Sequence, residues 1–298
     1  MRKKATSTWD DRLYDAICLV FLVVFIIIVA YPLWFVVVAS FSDPTYVNNG
    51  TFLLWPKGFT LEGYKLVFSD AKVWRGYLNT IFYTCFGTIF GTTFTILAGY
   101  ALSRKDLVGR NIIMKLLVFT MYFSGGVIPL YLVIQKLGLT NTRAIMVILS
   151  SITVYNIIIV RSFMANTIPD ELHDAAVIDG CGNFRFFFQI VLPLSKAIIA
   201  VTVLYIAVAH WNSYFNAMMY LTDQSKHPLQ MYLRELLVLS TSMSGNVEID
   251  PEVQMKMQHM SMIIKYAVIV VSTAPILCIY PFVQKYFVKG VMIGSVKG

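Results

Sequence analysis

Charge is scarce in this chain. Only 13% of its 298 residues are Asp, Glu, Lys or Arg, against roughly 25% in soluble domains, and 57% are hydrophobic. That balance excludes an ordinary water-soluble globule. Cysteine is sparse too: Cys18, Cys85, Cys181 and Cys278 stand far apart, without the paired spacing of a metal site, and three of them sit in apolar runs as small hydrophobes. His173, His210, His227 and His259 are equally scattered, and neither His-Glu-x-x-His nor Gly-x-Ser-x-Gly occurs. No Gly-x-x-x-x-Gly-Lys-Ser/Thr run is present, so the chain lacks the backbone cradle that holds nucleotide phosphates and does not hydrolyse ATP alone. Nothing is laid out for catalysis.

Long apolar runs are what the chain does have. Six of them, at about 16–39, 77–102, 116–135, 144–162, 197–222 and 266–284, approach the ~20 residues that cross a bilayer as a helix. The first is too long for a signal peptide, and its Pro32 is tolerated in a spanning helix when neighbours re-satisfy the freed carbonyl. None of the six contains Asp or Glu. The net charge of +8 could serve nucleic acid, but in a membrane protein it collects in cytoplasmic flanks. With six spans, the clusters Arg2-Lys3-Lys4, Arg104-Lys105-Arg110 and Lys285-Lys289-Lys297 fall on one side, which places both termini in the cytoplasm. The predicted fold is therefore an all-α polytopic membrane protein forming a single permease-type domain, with outer loops at 41–76 and 223–264. Outer loop 41–76 carries enough aromatic material, Trp55, Phe59, Tyr64 and Trp74 among it, to fold as a cap. Gly87, Gly91 and Gly99 recur at multiples of four and predict a close helix contact, while Ser124-Gly125-Gly126 with Pro129 predicts a kink in the third run.

One polar stretch, the loop 165–195, separates the fourth and fifth runs. Pro169 fits a helix start, and Asp170, Glu171 and Asp174 bring negative charge to its positive end. Gly180 and Gly182 suit the left-handed backbone that ends a helix, and Asn183 can cap the next one. In that second helix Phe184, Phe187, Phe188 and Val191 recur at i, i+3, i+4 and i+7, predicting a single buried stripe.

Within this loop Asp174-Ala175-Ala176, then Gly180, then Ile190-Val191-Leu192-Pro193 follow the spacing Glu-Ala-Ala, three residues, Gly, nine residues, Ile-x-Leu-Pro. The stretch resembles the cytoplasmic loop signature of binding-protein-dependent ABC importer permeases, with Asp174 replacing the usual Glu. The ending Tyr286-Phe287-Val288-Lys289-Gly290 looks like the MalG-like sugar permeases, and Phe123-Ser124-Gly125-Gly126-Val127-Ile128-Pro129 like the subgroup that handles complex oligosaccharides. The resemblance implies a type I ABC importer-like bundle in the bacterial cytoplasmic membrane. It further implies that the chain pairs with a second homologous permease, two cytoplasmic ATPase subunits that bind the ATP and Mg, and an extracytoplasmic sugar-binding protein, with no cofactor expected in this chain and no nucleic acid expected among its partners. Glu171, Asp174, Ala175, Ala176, Asp179, Gly180, Ile190, Leu192 and Pro193 are then the expected ATPase-coupling residues, and the tail from Lys285 to Gly298 either reaches the same interface or is a solvated flank.

For the pathway, sugars are held by aromatic faces and by amides, which singles out Tyr155, Asn156, Trp211, Asn212 and Asn216. Interfacial anchoring and helix–helix hydrogen bonding account for the same residues. The alternatives to an ABC permease are an ion-coupled secondary transporter, which would want a carboxylate near the bilayer midplane, and a channel or scaffold subunit, which would not need the loop's spacing.

Overall fold

The protein is described by a computed structural model covering residues 9–48, 54–242, 259–278 and 281. Among these residues every regular element is helical: α1 (Trp9–Ser40), α2 (Pro44–Asn48), α3 (Glu62–Ser69), α4 (Ala71–Ser103), α5 (Arg110–Tyr122), α6 (Val127–Lys136), α7 (Arg143–Ile148), α8 (Val154–Thr167), α9 (Asp170–Ile178), α10 (Asn183–Phe186), α11 (Leu192–Leu194), α12 (Lys196–Trp211), α13 (Tyr214–Tyr220) and α14 (Leu229–Ser242). A last helix, α15, spans His259–Cys278. The N-terminal Arg2-Lys3-Lys4 cluster, the lysines of the C-terminal tail, the end of the sixth run and residues 243–258 of the second outer loop lie outside the described residues.

Helices α1, α4 and α15 are each long and apolar enough to cross a membrane, and α5 with α6 passes the same test as one unit bent by 113°. The bend falls at Phe123–Gly126, where Gly126 takes φ +89° and Pro129 comes within the first turn of α6. This is the kink that the Ser-Gly-Gly run predicts. Asn183–Leu194 and α12 form a second bent pair, at 79°.

Two compact units divide the chain. One comprises 1–69 and 236–271. In it α1 runs unbroken through Pro32, and only Val38, Ala39 and Ser40 at its end are buried. The stretch after α1 folds back on that end. Phe41 stacks on Phe59 and Tyr64, the Thr60 amide donates to the Phe41 carbonyl at 3.0 Å, and the Ser40 and Tyr64 hydroxyls share a 2.7 Å hydrogen bond. Helix α3 lies so close to α15 that a Cβ on Gly63 would stand 2.4 Å from Ile263.

The other unit comprises 70–235 and 272–298 and is built around α4. Asp70 caps α4 by accepting from the Lys72 amide at 2.8 Å. Its buried face includes Gly76, Thr80, Tyr83 and Thr95 together with Gly87, Gly91 and Gly99, the glycines expected there from their spacing at multiples of four, and it packs against α7, α8 and α12. A Cβ on Gly87 would lie 2.3 Å from the His210 ring, one on Gly91 2.3 Å from the Ser151 carbonyl oxygen, and one on Gly99 2.4 Å from Val160. Backbones approach this closely only where no side chain intervenes.

Besides the bent third run, two further apolar runs are not single helices. The fourth is interrupted at 149–153, between α7 and α8, and the fifth at Asn212–Ser213, between α12 and α13. Helix α8 then continues past the fourth run to Thr167, and Arg161 donates its Nε–H to the Leu102 carbonyl at 3.2 Å.

Candidate functional site

The loop between α8 and α12 has two sides of different character. Pro169, with φ −68° and ψ 152°, ends the extended entry and opens α9, whose first turn carries Asp170 and Glu171. At the other end the Cys181 amide donates to the Ala176 carbonyl at 2.8 Å and the Gly180 amide to the Val177 carbonyl at 3.0 Å. These are the paired bonds of a Schellman motif, and Gly180 supplies the left-handed residue it requires, with φ +73°. Gly182 does not share that conformation: it is extended and occupies the cap position of α10. Asn183, expected there, is instead the first helical residue, and no side chain caps α10.

The expected stripe of Phe184, Phe187, Phe188 and Val191 is corrected by the structure. Phe186, Phe187 and Val191 are buried, whereas Phe184 is 83% and Phe188 60% exposed. Phe184 and Phe188, four apart, share the exposed face, because the buried face is centred on Phe186 and Phe187, and the wider π-helical turn at Phe187–Val191 keeps Val191 in phase with that buried face. Pro193 supplies the reason for that turn, since it has no amide to donate to the residue-189 carbonyl and its ring crowds that carbonyl in a regular helix. Widening the preceding turn relieves both.

The inner side of the loop packs Ala176, Phe186, Phe187 and Val191 against Ile96, Val160, Met164 and Ile198. Phe187 meets the Tyr100 ring at 5.0 Å, and His173 stands edge-on to Phe186 at 5.1 Å. Polar clamps hold the rim. Lys105 pairs with Asp170 at 2.7 Å, Arg104 with Asp106 at 3.0 Å, and the Arg104 guanidinium reaches His173 Nδ1 at 3.1 Å. The hydrogen bond from Lys105 holds the Asp170 carboxyl below its ordinary value. A cleft of about 450 Å³ lies alongside, lined by Arg104, Lys105, Arg110, Arg161, Asp170 and Glu171 among others.

The outer side of the loop is bare. Glu171, Asp174, Ala175, Asp179, Gly180 and Pro193 are exposed, Ile190 and Leu192 are half-buried, and of the nine expected coupling residues only Ala176 is buried. Beside them stand Val177 at 53% and Ile178 at 86% exposure, with Phe184 across the turn. Val177 and Ile178 are not singled out by the sequence, and Phe184 is expected on the buried face, because helix periodicity reports a buried face and not an apolar one left uncovered. Acidic groups around apolar side chains at a sharp, well-capped turn form a surface suited to docking in another protein.

A second feature lies where the two interrupted helices meet. The Asn216 amide donates to Ser150 Oγ at 2.8 Å, and the Ser151 hydroxyl lies 3.1 Å from His210 Nε2 and 3.1 Å from the Gly87 carbonyl oxygen. His210 is fully enclosed. Of the expected pathway residues, Tyr155 and Asn212 are exposed at this junction, while Asn156 and Trp211 are 7% and 6% exposed and turn into helix packing. Trp211 donates its indole N–H to the Ser272 carbonyl at 3.0 Å, and Asn212 bonds back to the Val208 carbonyl at 2.9 Å. Among the described residues no cluster of three His, Cys, Asp or Glu side chains is placed to hold a metal ion.

No family model matches the chain. It is similar over nearly its whole length to curated proteins of Bacillus subtilis. It is 41% identical over 288 residues to the polygalacturonan/rhamnogalacturonan transport system permease protein YtcP, covering 97% of this chain and 99% of that one. To Protein LplC it is 40% identical over 292 residues, covering 98% and 97%. The arabinooligosaccharides transport system permease protein AraQ of Halalkalibacterium halodurans is 28% identical over 276 residues, covering 91% and 92%. Among solved structures, a bacterial ABC transporter involved in the import of the acidic polysaccharide alginate has a chain that superposes with a TM-score of 0.83 at 31% identity, covering 95% of this chain and all of that one. The broken apolar helices, the two-sided loop and this similarity place the chain in the family of ABC transporter permease subunits.

Proposed function

We propose that the chain forms half of the translocation pathway of an ATP-driven importer of oligosaccharides in the bacterial cytoplasmic membrane. Six spans, α1, α4, α5–α6, α7–α8, α12–α13 and α15, would put both termini in the cytoplasm. A second, homologous permease completes the pathway. Two ATPase subunits, which bind the ATP and Mg, sit beneath, and an extracytoplasmic binding protein delivers the sugar. This chain is a transport component without an ATPase site.

The observation that carries this reading is the loop's division into a clamped inner side and a bare outer side. Its inner side ties it to α4, α8 and α12, and its outer side offers Asp174, Val177, Ile178, Asp179 and Phe184 to a cleft in the ATPase. Closure of the ATPase dimer on ATP drags the loop, and the clamped inner side passes the displacement to the helices around α4. Work passes from one state to the other only through contacts that differ between them, so the loop stays docked throughout. The helix breaks at 149–153 and Asn212–Ser213 supply the pathway. Non-helical backbone at membrane depth is tolerated where it is buried in protein or lines a cavity, and Tyr155, Asn212 and Asn216 stand beside it.

The test is uptake into proteoliposomes. The complete complex, with its binding protein, is expected to accumulate labelled oligosaccharide only when ATP is hydrolysed, and vesicles holding the permease pair without the ATPases are expected to take up none. Uptake by the ATPase-free vesicles, driven by a proton or sodium gradient, would point to a secondary transporter instead.

A further inference from the structure

The end of α4 remote from the loop carries cations that play no part in coupling. Helix α4 is 33 residues long, which sets Arg75 on the order of 40 Å from Ser103 at the loop end. Around its first turns a cleft of about 440 Å³ is lined by Arg75, Leu78, Asn79, Phe82, Arg143 and Ser225. A smaller hollow shares Arg75 and Ser225 with it and adds Lys72 and His227.

Asn79 is 4% exposed, and its amide nitrogen donates to the carbonyls of Ser225 at 2.8 Å and His227 at 3.0 Å. Its oxygen is thereby turned toward Arg143, whose Nη2 lies 3.4 Å away. The same guanidinium stands 5.5 Å above the Phe82 ring. Arg143 is thus positioned by neutral groups, and no described carboxylate lies within ion-pair distance of Arg75 or Arg143. The acids of the neighbourhood are engaged elsewhere. Asp70 accepts from the Lys72 amide and the Tyr232 hydroxyl, Glu235 faces His227 at 3.6 Å, and Asp223 holds the Ser225 amide and Lys226. Cations at the outer end of a membrane bundle also run against the usual placement of Lys and Arg in cytoplasmic flanks.

We propose that this cleft recognises the carboxylates of an acidic oligosaccharide, with Arg75 and Arg143 as the anion-binding pair and Phe82 as the ring that holds the Arg143 guanidinium in place. Planar guanidinium groups match carboxylates in two-point contact, which an ammonium does not reproduce. The inference rests on the reading of the chain as a carbohydrate permease and adds that the sugars it favours are uronates.

The experiment measures equilibrium binding of fluorescent trigalacturonate, and of its full methyl ester, to the assembled transporter without its binding protein. Wild type is expected to prefer the acid over the ester by about tenfold or more, with the preference shrinking as salt is raised. In the double variant Arg75→Gln, Arg143→Gln the preference is expected to vanish, while Arg143→Lys alone keeps only part of it. Assembly of each variant is checked by size-exclusion chromatography, and if the double variant fails to assemble, Arg143→Lys and the salt series decide. Equal binding of acid and ester by wild type, absence of binding by both, or an acid preference that survives the double substitution would overturn the proposal. Uptake of neutral arabinotriose by the same wild-type complex would show that such a failure leaves the import reading intact, whereas a complex that carries no carbohydrate refutes that reading as well.

Discussion

Replacing Gly91 by leucine is expected to leave little folded protein. A Cβ at this position would stand 2.3 Å from the Ser151 carbonyl oxygen, 2.9 Å from its carbonyl carbon and 3.0 Å from its Cα. All three are backbone atoms, so no rotamer change makes room, and the segment between α7 and α8 would have to move bodily. That movement would also pull the Ser151 hydroxyl from the Gly87 carbonyl and from His210. Overpacking of a close-packed contact costs roughly 1–3 kcal/mol where side chains can yield, and the backbone contact here argues for a cost at or above ~3 kcal/mol. The measurement is the thermal midpoint and the yield of the purified complex. Gly125→Ala is the control, because the nearest heavy atom to its Cβ is Pro129 Cβ at 3.8 Å, and it is expected to behave as wild type. A Gly91→Leu protein with a wild-type midpoint would show that α4 does not approach the segment between α7 and α8 as described.

Gly180→Val is expected to act on transport rather than on insertion. Nothing lies within 4 Å of a Cβ at Gly180, so space is not at issue, and the penalty comes from the positive φ alone. A β-branched residue there costs about 1–2 kcal/mol. A spanning bundle survives that, but the bonds from Gly180 to Val177 and from Cys181 to Ala176 that close the turn depend on the left-handed residue at 180. The expected outcome is near-normal abundance in the membrane with uptake per transporter reduced by about tenfold and weaker co-purification of the ATPase. Gly180→Asn is expected to be milder, because Asn visits the left-handed region at lower cost. Wild-type uptake in the valine variant would remove the turn from the coupling path.

What the sequence made legible here is local. The start of α9 at Pro169, its acidic first turn and the Gly180 turn come from capping chemistry within a few residues, and the Ser124 to Pro129 bend comes from Gly and Pro in the chain itself. The Gly87, Gly91 and Gly99 stripe was legible because close packing leaves a spacing of four. Less legible was whatever depends on a distant partner. The break at 149–153 and the one at Asn212–Ser213 fall inside runs long and apolar enough to read as single spans, without Gly or Pro to mark an interruption. They are stable because Ser150 meets Asn216 and Ser151 meets His210, pairs separated by 66 and 59 residues. The buried face of the second loop helix is illegible for a different reason: with aromatics at 184, 186, 187 and 188, periodicity alone does not say which side of the helix meets Ile96, Val160 and Met164. Trp211 and Asn156 carried the right chemistry for a sugar site, but composition does not distinguish a side chain that faces a cavity from one that is turned into a neighbouring helix.

Coupling by this loop requires that one of its faces belong to this chain and the other to the ATPase. A photo-crosslinking amino acid placed at Ile178, 86% exposed, and separately at Phe187, 6% exposed, tests that division in the assembled complex. Irradiation is expected to join the Ile178 position to the ATPase subunit and to give no intersubunit product from the Phe187 position. Capture of the ATPase from Phe187 and not from Ile178 would mean that the docking face has been assigned to the wrong side.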